Sequence, residues 1–177
     1  MTKWRSGQAV LDQARSMGKW PDGKPIGKGH GSPYLQAVYA EKIGKLEKKV
    51  EGRAGGGWVD PVKTDDWINF KVPKHPGENL IVRVRKVQRT KDIEAMVRLA
   101  SVESLLPGSN LSVAQAVALY RTFGNSRGSF AEIELTHGAV AIHIEPLEPS
   151  VDCNPCVDDD GAVAKHMQRE LNGLRKL

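Results

Sequence analysis

The sequence predicts an α+β domain, and three observations carry that prediction. From Asn79 to Val87 apolar and charged residues alternate as in a half-buried strand, with Leu80, Val82 and Val84 facing inward and Arg83 and Arg85 facing out. Two amphipathic helical patterns then follow back to back before the next strand, without the regular strand–helix rhythm of a doubly wound sheet. The 177 residues leave room for one packed domain with extensions, and too little for two substantial ones.

Taken in order, the elements are these. After Ser6, residues Val10, Leu11, Ala14 and Met17 fall at helical spacing and Gly18 stops the helix. Trp20 to Ser32 is dense in Gly, Pro and Lys, which reads as a mobile linker. Residues 1–31 are thus a basic N-terminal extension, residues 32–149 the domain, and residues 150–177 a C-terminal tail with a short helix. Inside the domain, Tyr34, Leu35, Val38, Tyr39, Ile43 and Leu46 trace one helix face, with Pro33 in its first turn. A strand at Val50–Arg53, a loose loop at Gly55–Gly57 and an aromatic anchor at Trp58 come next.

Trp67 to Val72 reads as a further strand, ahead of the alternating one. Thr90 caps a helix carrying Ile93, Met96, Val97 and Ala100, which Leu105-Leu106-Pro107-Gly108 closes. Ser112 and Gln115 make a capping-box pattern ahead of Val113, Ala116, Val117 and Tyr120. Phe130 to His137 has two readings. Ile133 and Leu135 alternate as in a strand, while Ser129 and Gly138 bracket a short helix. Ala139 to Glu145 is a strand.

Charge narrows the function classes. There are 26 Lys and Arg against 21 Asp and Glu, a net +5, and the excess is concentrated in the first hundred residues. Phosphate binding needs such a like-signed region, because neutralised phosphates release condensed counterions. A solvated surface that keeps the protein soluble is the competing explanation. No stretch approaches the roughly 18 consecutive apolar residues of a membrane span, so no membrane partner is expected. The first twenty residues lack the apolar run of an export signal, so an intracellular protein is expected, cytoplasmic or nuclear, with a mitochondrial address left open.

Other constellations are weaker. The two cysteines, Cys153 and Cys156, exclude a disulfide-stapled scaffold. Their CxxC spacing lacks a second pair and His166 adds only a third ligand, so no metal and no cofactor are expected. Gly55-Gly56-Gly57 is not followed by the Gly-Lys-Ser/Thr of a phosphate loop, which favours a flexible hairpin. His137 and His143 stand alone and read as structural. Asp158-Asp159-Asp160 precedes a helical pattern with Val163, Met167 and Leu171, and a tail of this kind recruits a protein partner or is simply solvated.

The order of several short segments resembles the activating signal cointegrator homology (ASCH) family, a branch of the pseudouridine synthase and archaeosine transglycosylase (PUA)-like fold. The segments are Pro33-Tyr34, then Lys48-Lys49-Val50-Glu51-Gly52-Arg53, Trp58 with Asp66-Trp67-Ile68-Asn69-Phe70, Leu105-Leu106-Pro107-Gly108 before a helix ending in Tyr120-Arg121, and Val140 to Leu147. The resemblance spans residues 32–148 and implies a PUA-like mixed β-barrel with flanking helices, flexible extensions at both ends, and a cleft between barrel and helices used for RNA or nucleotides. Three departures stand out, one of them the unusually glycine- and serine-bearing Gly124–Gly138 connection. The stretch from Pro33-Tyr34 to Val50 is longer than in the family, and the usual Gly-Asp before the next strand is Asp65-Asp66.

The residue types fit such a cleft. Lys48, Lys49 and Arg53 supply cationic donors to phosphate, Glu51 an acceptor for an exocyclic amine, Trp58 a stacking face, and Gly52 a place where backbone is approached closely. Arg83, Arg85, Tyr120 and Arg121 complete the candidate set. The expected partner is RNA or single-stranded nucleic acid, held as by a binding module. Nucleosides are a second class of ligand, and the tails are a route to a protein partner. An enzyme is the alternative, an amidohydrolase or ribonuclease with Lys48 and Glu51 as catalytic candidates. Some ASCH-like proteins deacetylate N4-acetylcytidine nucleosides with a Lys, a Thr and a Glu. Here Lys48 matches the lysine, Glu51 takes the threonine's place, and Glu94 and Glu103 are candidates for the glutamate.

Overall fold

Sheet pairing claims more of the chain than the sequence patterns suggest. The computed structural model describes residues 7–72, 79–125 and 127–147. The elements run α1 (Gln8–Met17), β1 (Gly29–Tyr34), α2 (Ala37–Gly44), β2 (Val50–Ala54), a 3-10 turn (Gly57–Val59), β3 (Trp67–Lys71) and β4 (Asn79–Thr90), then α3 (Ile93–Ala100), α4 (Val102–Leu105), α5 (Val113–Thr122), β5 (Gly124–Asn125), β6 (Gly128–Ser129), α6 (Phe130–His137) and β7 (Ala139–Pro146). Five strands form one mixed sheet in the order β1-β3-β4-β7-β2, while β5 and β6 make a separate ribbon. β1 is parallel to β3, with Gly29 opposite Trp67, and β3 is antiparallel to β4, with Trp67 opposite Arg83. The α+β class, the mixed sheet and the flanking helices are as the sequence predicts. β1 and β2 stand at the two ends of the order, and the described strands do not show a closed barrel.

The chain divides into two compact units. One draws on the described parts of Met1–Glu51, Pro61–Val87 and Ile142–Cys153, the other on those of Gly52–Asp60, Gln88–Ala141 and Asn154–Leu177. In the first unit Leu35, Tyr39, Ile43, Ile68, Phe70, Val82 and Val84 are buried. Ile81 and Trp67 alternate with Val82 and Ile68, so they lie on the opposite face of the sheet. That face is covered too: Leu11, Ala14, Trp20 and Ile81 form a buried cluster joined by Ile26, Trp67 and Leu147.

The segment read as a mobile linker is therefore part of this unit. Trp20 is only 1% exposed, and its indole N–H donates to the Asp65 carbonyl at 3.0 Å. Lys19 bridges to Pro25, and β1 begins at Gly29. The physical reason is that one large aromatic buries enough area to order a segment whose Gly and Pro content alone suggests disorder. Glycine serves packing here. A Cβ at Gly29 would lie 2.2 Å from the Trp67 ring.

The helix predicted from Tyr34 to Leu46 is shorter, spanning Ala37–Gly44. Leu35 N–H donates to the Lys71 carbonyl, so the sheet holds Pro33 and Tyr34, and Tyr34 is 69% exposed. At the other end Leu46 has a left-handed backbone (φ 62°) and is exposed. Asp65 likewise has φ 68°, a conformation that Asp tolerates better than most side chains.

In the second unit the Ser112 and Ser129 capping signals hold and the Thr90 one does not. Asp92 rather than Thr90 caps α3, accepting from Ala95 N–H, and the Ser112–Gln115 box opens α5. Phe130 to His137 is helical, because Ser129 and Glu132 form a second reciprocal capping box. Ile93, Met96, Val97, Leu105, Leu106, Leu119, Tyr120, Phe130 and Ile133 are buried. The Gly55–Gly57 loop is pinned, not loose: Arg127 donates to the carbonyls of Gly55 and Gly56 at 3.2 and 3.1 Å, and Gly56 N–H donates to Asp60 at 2.8 Å. Cys153, Cys156, Asp158 to Asp160, the helical pattern of Val163, Met167 and Leu171, and Lys3 and Arg5 lie outside the described residues. Among the described residues no helix is long and apolar enough to cross a membrane.

Candidate functional site

Lys48 and Lys49, in the connection just before β2, differ sharply in burial. Lys48 is only 2% exposed, whereas Lys49 points outward and its backbone carbonyl accepts from Ile144 N–H at 2.9 Å. The Lys48 ammonium donates to the Val50 carbonyl at 2.7 Å, lies 3.4 Å from the Glu51 carboxylate and sits 5.2 Å from the centroid of the Tyr39 ring. A lysine can stay charged at such depth only with partners of this kind. Lys48 is thus a bonded member of a buried Lys–Glu–Tyr cluster, not the open phosphate donor the sequence suggested. Glu51 is buried beside it. Burial pushes the Tyr39 hydroxyl well above its ordinary range, and the Glu51 charge pushes the same way.

Two of the three arginines of β4, Arg83 and Arg85, part company as well. Arg83 is 5% exposed, because Trp20 lies over it with the guanidinium carbon 4.9 Å from the indole centroid. Its guanidinium donates to Asp65 and, at 3.0 Å, to Asp22. The outward-facing basic rim expected of β4 is therefore corrected at Arg83, whose face the N-terminal segment covers. Arg85 remains half-exposed, 3.5 Å from both Asp22 and Glu145. A cavity of about 350 Å³ lies here, lined by Trp20, Asp22, Arg83, Arg85 and Glu145 among others. Arg83 holds Asp22 below the usual carboxylate range.

A second buried couple in this unit went unnoticed in the sequence. His30 Nε2 is 2.7 Å from Asp66 Oδ2, and the same carboxylate accepts from Lys28 and Lys63 N–H at 2.7 and 2.9 Å. It ties the start of β1 to the start of β3, and only pairing in space reveals it. Lys19, Lys24, Lys28, Lys49, Lys63, Lys71 and Lys86 are all exposed.

In the second unit Arg53 and Trp58 come together. The guanidinium carbon lies 5.8 Å from the indole centroid, and both side chains are half-buried. Gly52 has a different task from the one anticipated. A Cβ there would lie 2.7 Å from the Tyr120 hydroxyl and 2.9 Å from its ring, so the close approach is made by the protein's own tyrosine. Tyr120 is buried and packs edge-on against Phe123, which packs edge-on against Phe130, so it is core rather than a ligand contact.

Arg121 is half-exposed and donates to Glu134 at 2.6 Å, while the other oxygen of Glu134 accepts from Ile93 N–H at 2.7 Å. That carboxylate raises the arginine's basicity further. Arg121 borders a cavity of about 220 Å³ with Glu94, Arg98, Val113 and Val117. Glu94 is engaged with Arg98, and Glu103 accepts from Gly108 N–H. Among the described residues no group of three or more His, Cys, Asp and Glu is placed to hold a metal ion.

These features define an α+β protein with a mixed sheet, a buried Lys–Glu–Tyr cluster and an arginine–tryptophan stack. No family model matches the chain, and no curated protein does. Solved structures do match. A hypothetical protein, PH0355, known from a crystal structure, is 32% identical over 68% of this chain and 99% of its own, with a TM-score of 0.56. Protein PF0455 from Pyrococcus furiosus, known from solution NMR, is 34% identical over 66% of this chain and 96% of its own, with a TM-score of 0.51. The chain belongs to the family of PH0355.

Proposed function

We propose that this protein is an ASCH-type, PUA-like module that binds RNA or other single-stranded nucleic acid, acting inside the cell. The observation that carries the reading is the Arg53–Trp58 stack, a cation held over an indole at 5.8 Å with both groups half-buried. Bases stack on such a platform whatever their identity, and the cation adds charge next to it. Exposed Lys49 precedes it in the chain, and the exposed lysines of the first unit supply the long-range attraction to phosphate. Lys48, Glu51 and Tyr120 act as support in this reading, since each is buried and engaged. Closure of the sheet into a barrel belongs to the same proposal.

The reading is tested by titrating single- and double-stranded RNA and DNA oligomers at two salt concentrations. Preferential binding of single strands, weakening as salt rises, supports it. Equal and negligible binding of all four at low salt overturns it.

One observation favours a second reading, hydrolysis of a modified nucleoside. Lys48, Glu51 and Tyr39 form a desolvated acid–base cluster of the sort that catalytic sites use. Lys48 donates to the Val50 carbonyl and lies 3.4 Å from Glu51, so in this reading it would serve as a hydrogen-bond donor to a developing oxyanion. Turnover of an acetylated nucleoside that Lys48→Ala abolishes, with the fold retained, would establish this reading.

A further inference from the structure

The most exposed carboxylate touching a buried cation in the first unit is Asp22. One of its oxygens lies 3.0 Å from Arg83 Nη1 and 3.5 Å from Arg85 Nη1, so it bridges two guanidinium groups. A phosphate oxygen makes the same bridge between neighbouring arginines. Arg83 is fixed in place: Asp65 holds its Nε and Nη2, and Trp20 covers it. Among the described residues Arg85 is held by contacts of 3.5 Å to Asp22 and Glu145. The cavity of about 350 Å³ opens beside this cluster and is larger than a phosphate group needs.

Asp22 is also the member best placed to leave. It is 40% exposed and sits on a tight turn closed by backbone bonds, Gly23 N–H to the Trp20 carbonyl at 2.9 Å and Trp20 N–H to the Lys24 carbonyl at 2.8 Å. Its Oδ1 accepts from Lys24 N–H at 3.3 Å, so rotation of the carboxylate gives up that one long bond while the backbone-closed turn and the buried Trp20 stay. We propose that Arg83 and Arg85 form a phosphate-group site that Asp22, an internal anion, keeps closed. The site deepens the nucleic-acid reading and rests on it for its biological ligand, but its chemistry stands on the two arginines alone.

The test compares full-length wild type with Asp22→Asn and Asp12→Asn. Asp12 is an exposed carboxylate on α1, so its replacement makes the same change in net charge away from the cavity. The probes are inorganic phosphate and a 5′-phosphorylated oligouridylate, with a non-phosphorylated oligouridylate as reference. Asp22→Asn is expected to tighten phosphate binding by roughly tenfold over wild type, and Asp12→Asn by much less. Adding Arg85→Ala to Asp22→Asn is expected to remove the gain.

Equal tightening by Asp12→Asn, or a gain that survives Arg85→Ala, overturns the proposal. Phosphate bound by Asp22→Asn while neither oligouridylate binds any variant leaves the closed site standing and refutes the nucleic-acid reading. Both oligouridylates bound alike by wild type and Asp22→Asn does the reverse. Unchanged thermal unfolding of Asp22→Asn secures the comparison, and Asp22→Ala serves in its place if the asparagine variant unfolds early.

Discussion

At the scale of single residues, three positions carry distinct parts of the account. Trp58→Ala is expected to weaken single-stranded RNA by roughly 1–3 kcal/mol with little change in salt dependence, because stacking involves no counterions. Lys49→Ala is expected to lower the slope of log affinity against log salt by about one, as the loss of one phosphate contact does. Gly52→Ala acts on stability instead. The added methyl meets the Tyr120 hydroxyl at 2.7 Å, and overpacking of this kind costs about 1–3 kcal/mol, readable as a lower unfolding midpoint in urea.

The residue types at Lys48, Glu51, Gly52, Arg53 and Trp58 were legible as a polar, cationic segment. Their division of labour was not. Whether a lysine points in or out depends on strand register and on which element covers each face. Lys48 and Lys49, both just before β2, are neighbours in sequence and opposites in burial: Lys48 is enclosed with Tyr39 and Glu51, and Lys49 is exposed.

At the scale of elements, the N-terminal segment is where sequence and structure part most. Composition weighs Gly, Pro and Lys equally wherever they occur, so Trp20 to Ser32 looked like a linker, while one buried indole decides the outcome. Trp20→Ala is accordingly expected to cost about 3–5 kcal/mol and to raise protease sensitivity around Lys19 and Lys24. A linker would show no change in either. The opposite holds for α5 and α6, whose Ser–Gln and Ser–Glu capping boxes are local chemistry and could be read directly. Buried pairs between distant positions, such as His30 with Asp66 or Arg121 with Glu134, have no local signature and appear only once the chain is folded.

β7 adds a pH effect. Burial, with the Lys86 charge adding, lowers the basicity of His143 below its ordinary value of 6.5. The unfolded chain therefore binds this proton at higher pH than the native one. The stabilising contribution is complete above 6.5 and is lost as pH falls through that value toward the native one. Urea midpoints measured across that range should fall on acidification, and less so in His143→Gln.

At the scale of the whole molecule, charge and kinship bear on function together. Close to a third of the chain lies outside the part shared with PH0355, so what the family has in common is confined to the remaining two thirds. The net +5 of the chain sets only a long-range attraction and gives no sequence selectivity. Limited base discrimination is therefore expected, with homopolymers of different base bound within a few-fold of one another.

The most direct measurement is equilibrium binding of a single-stranded RNA oligomer to wild type and to the Lys49→Ala/Arg53→Ala/Trp58→Ala variant, at low and at physiological salt, with unfolding curves recorded alongside. The account predicts that wild type binds and weakens with salt, while the variant keeps its fold and loses most of its affinity at both concentrations. A variant that binds as wild type does, or a wild type that binds no RNA at low salt, contradicts it.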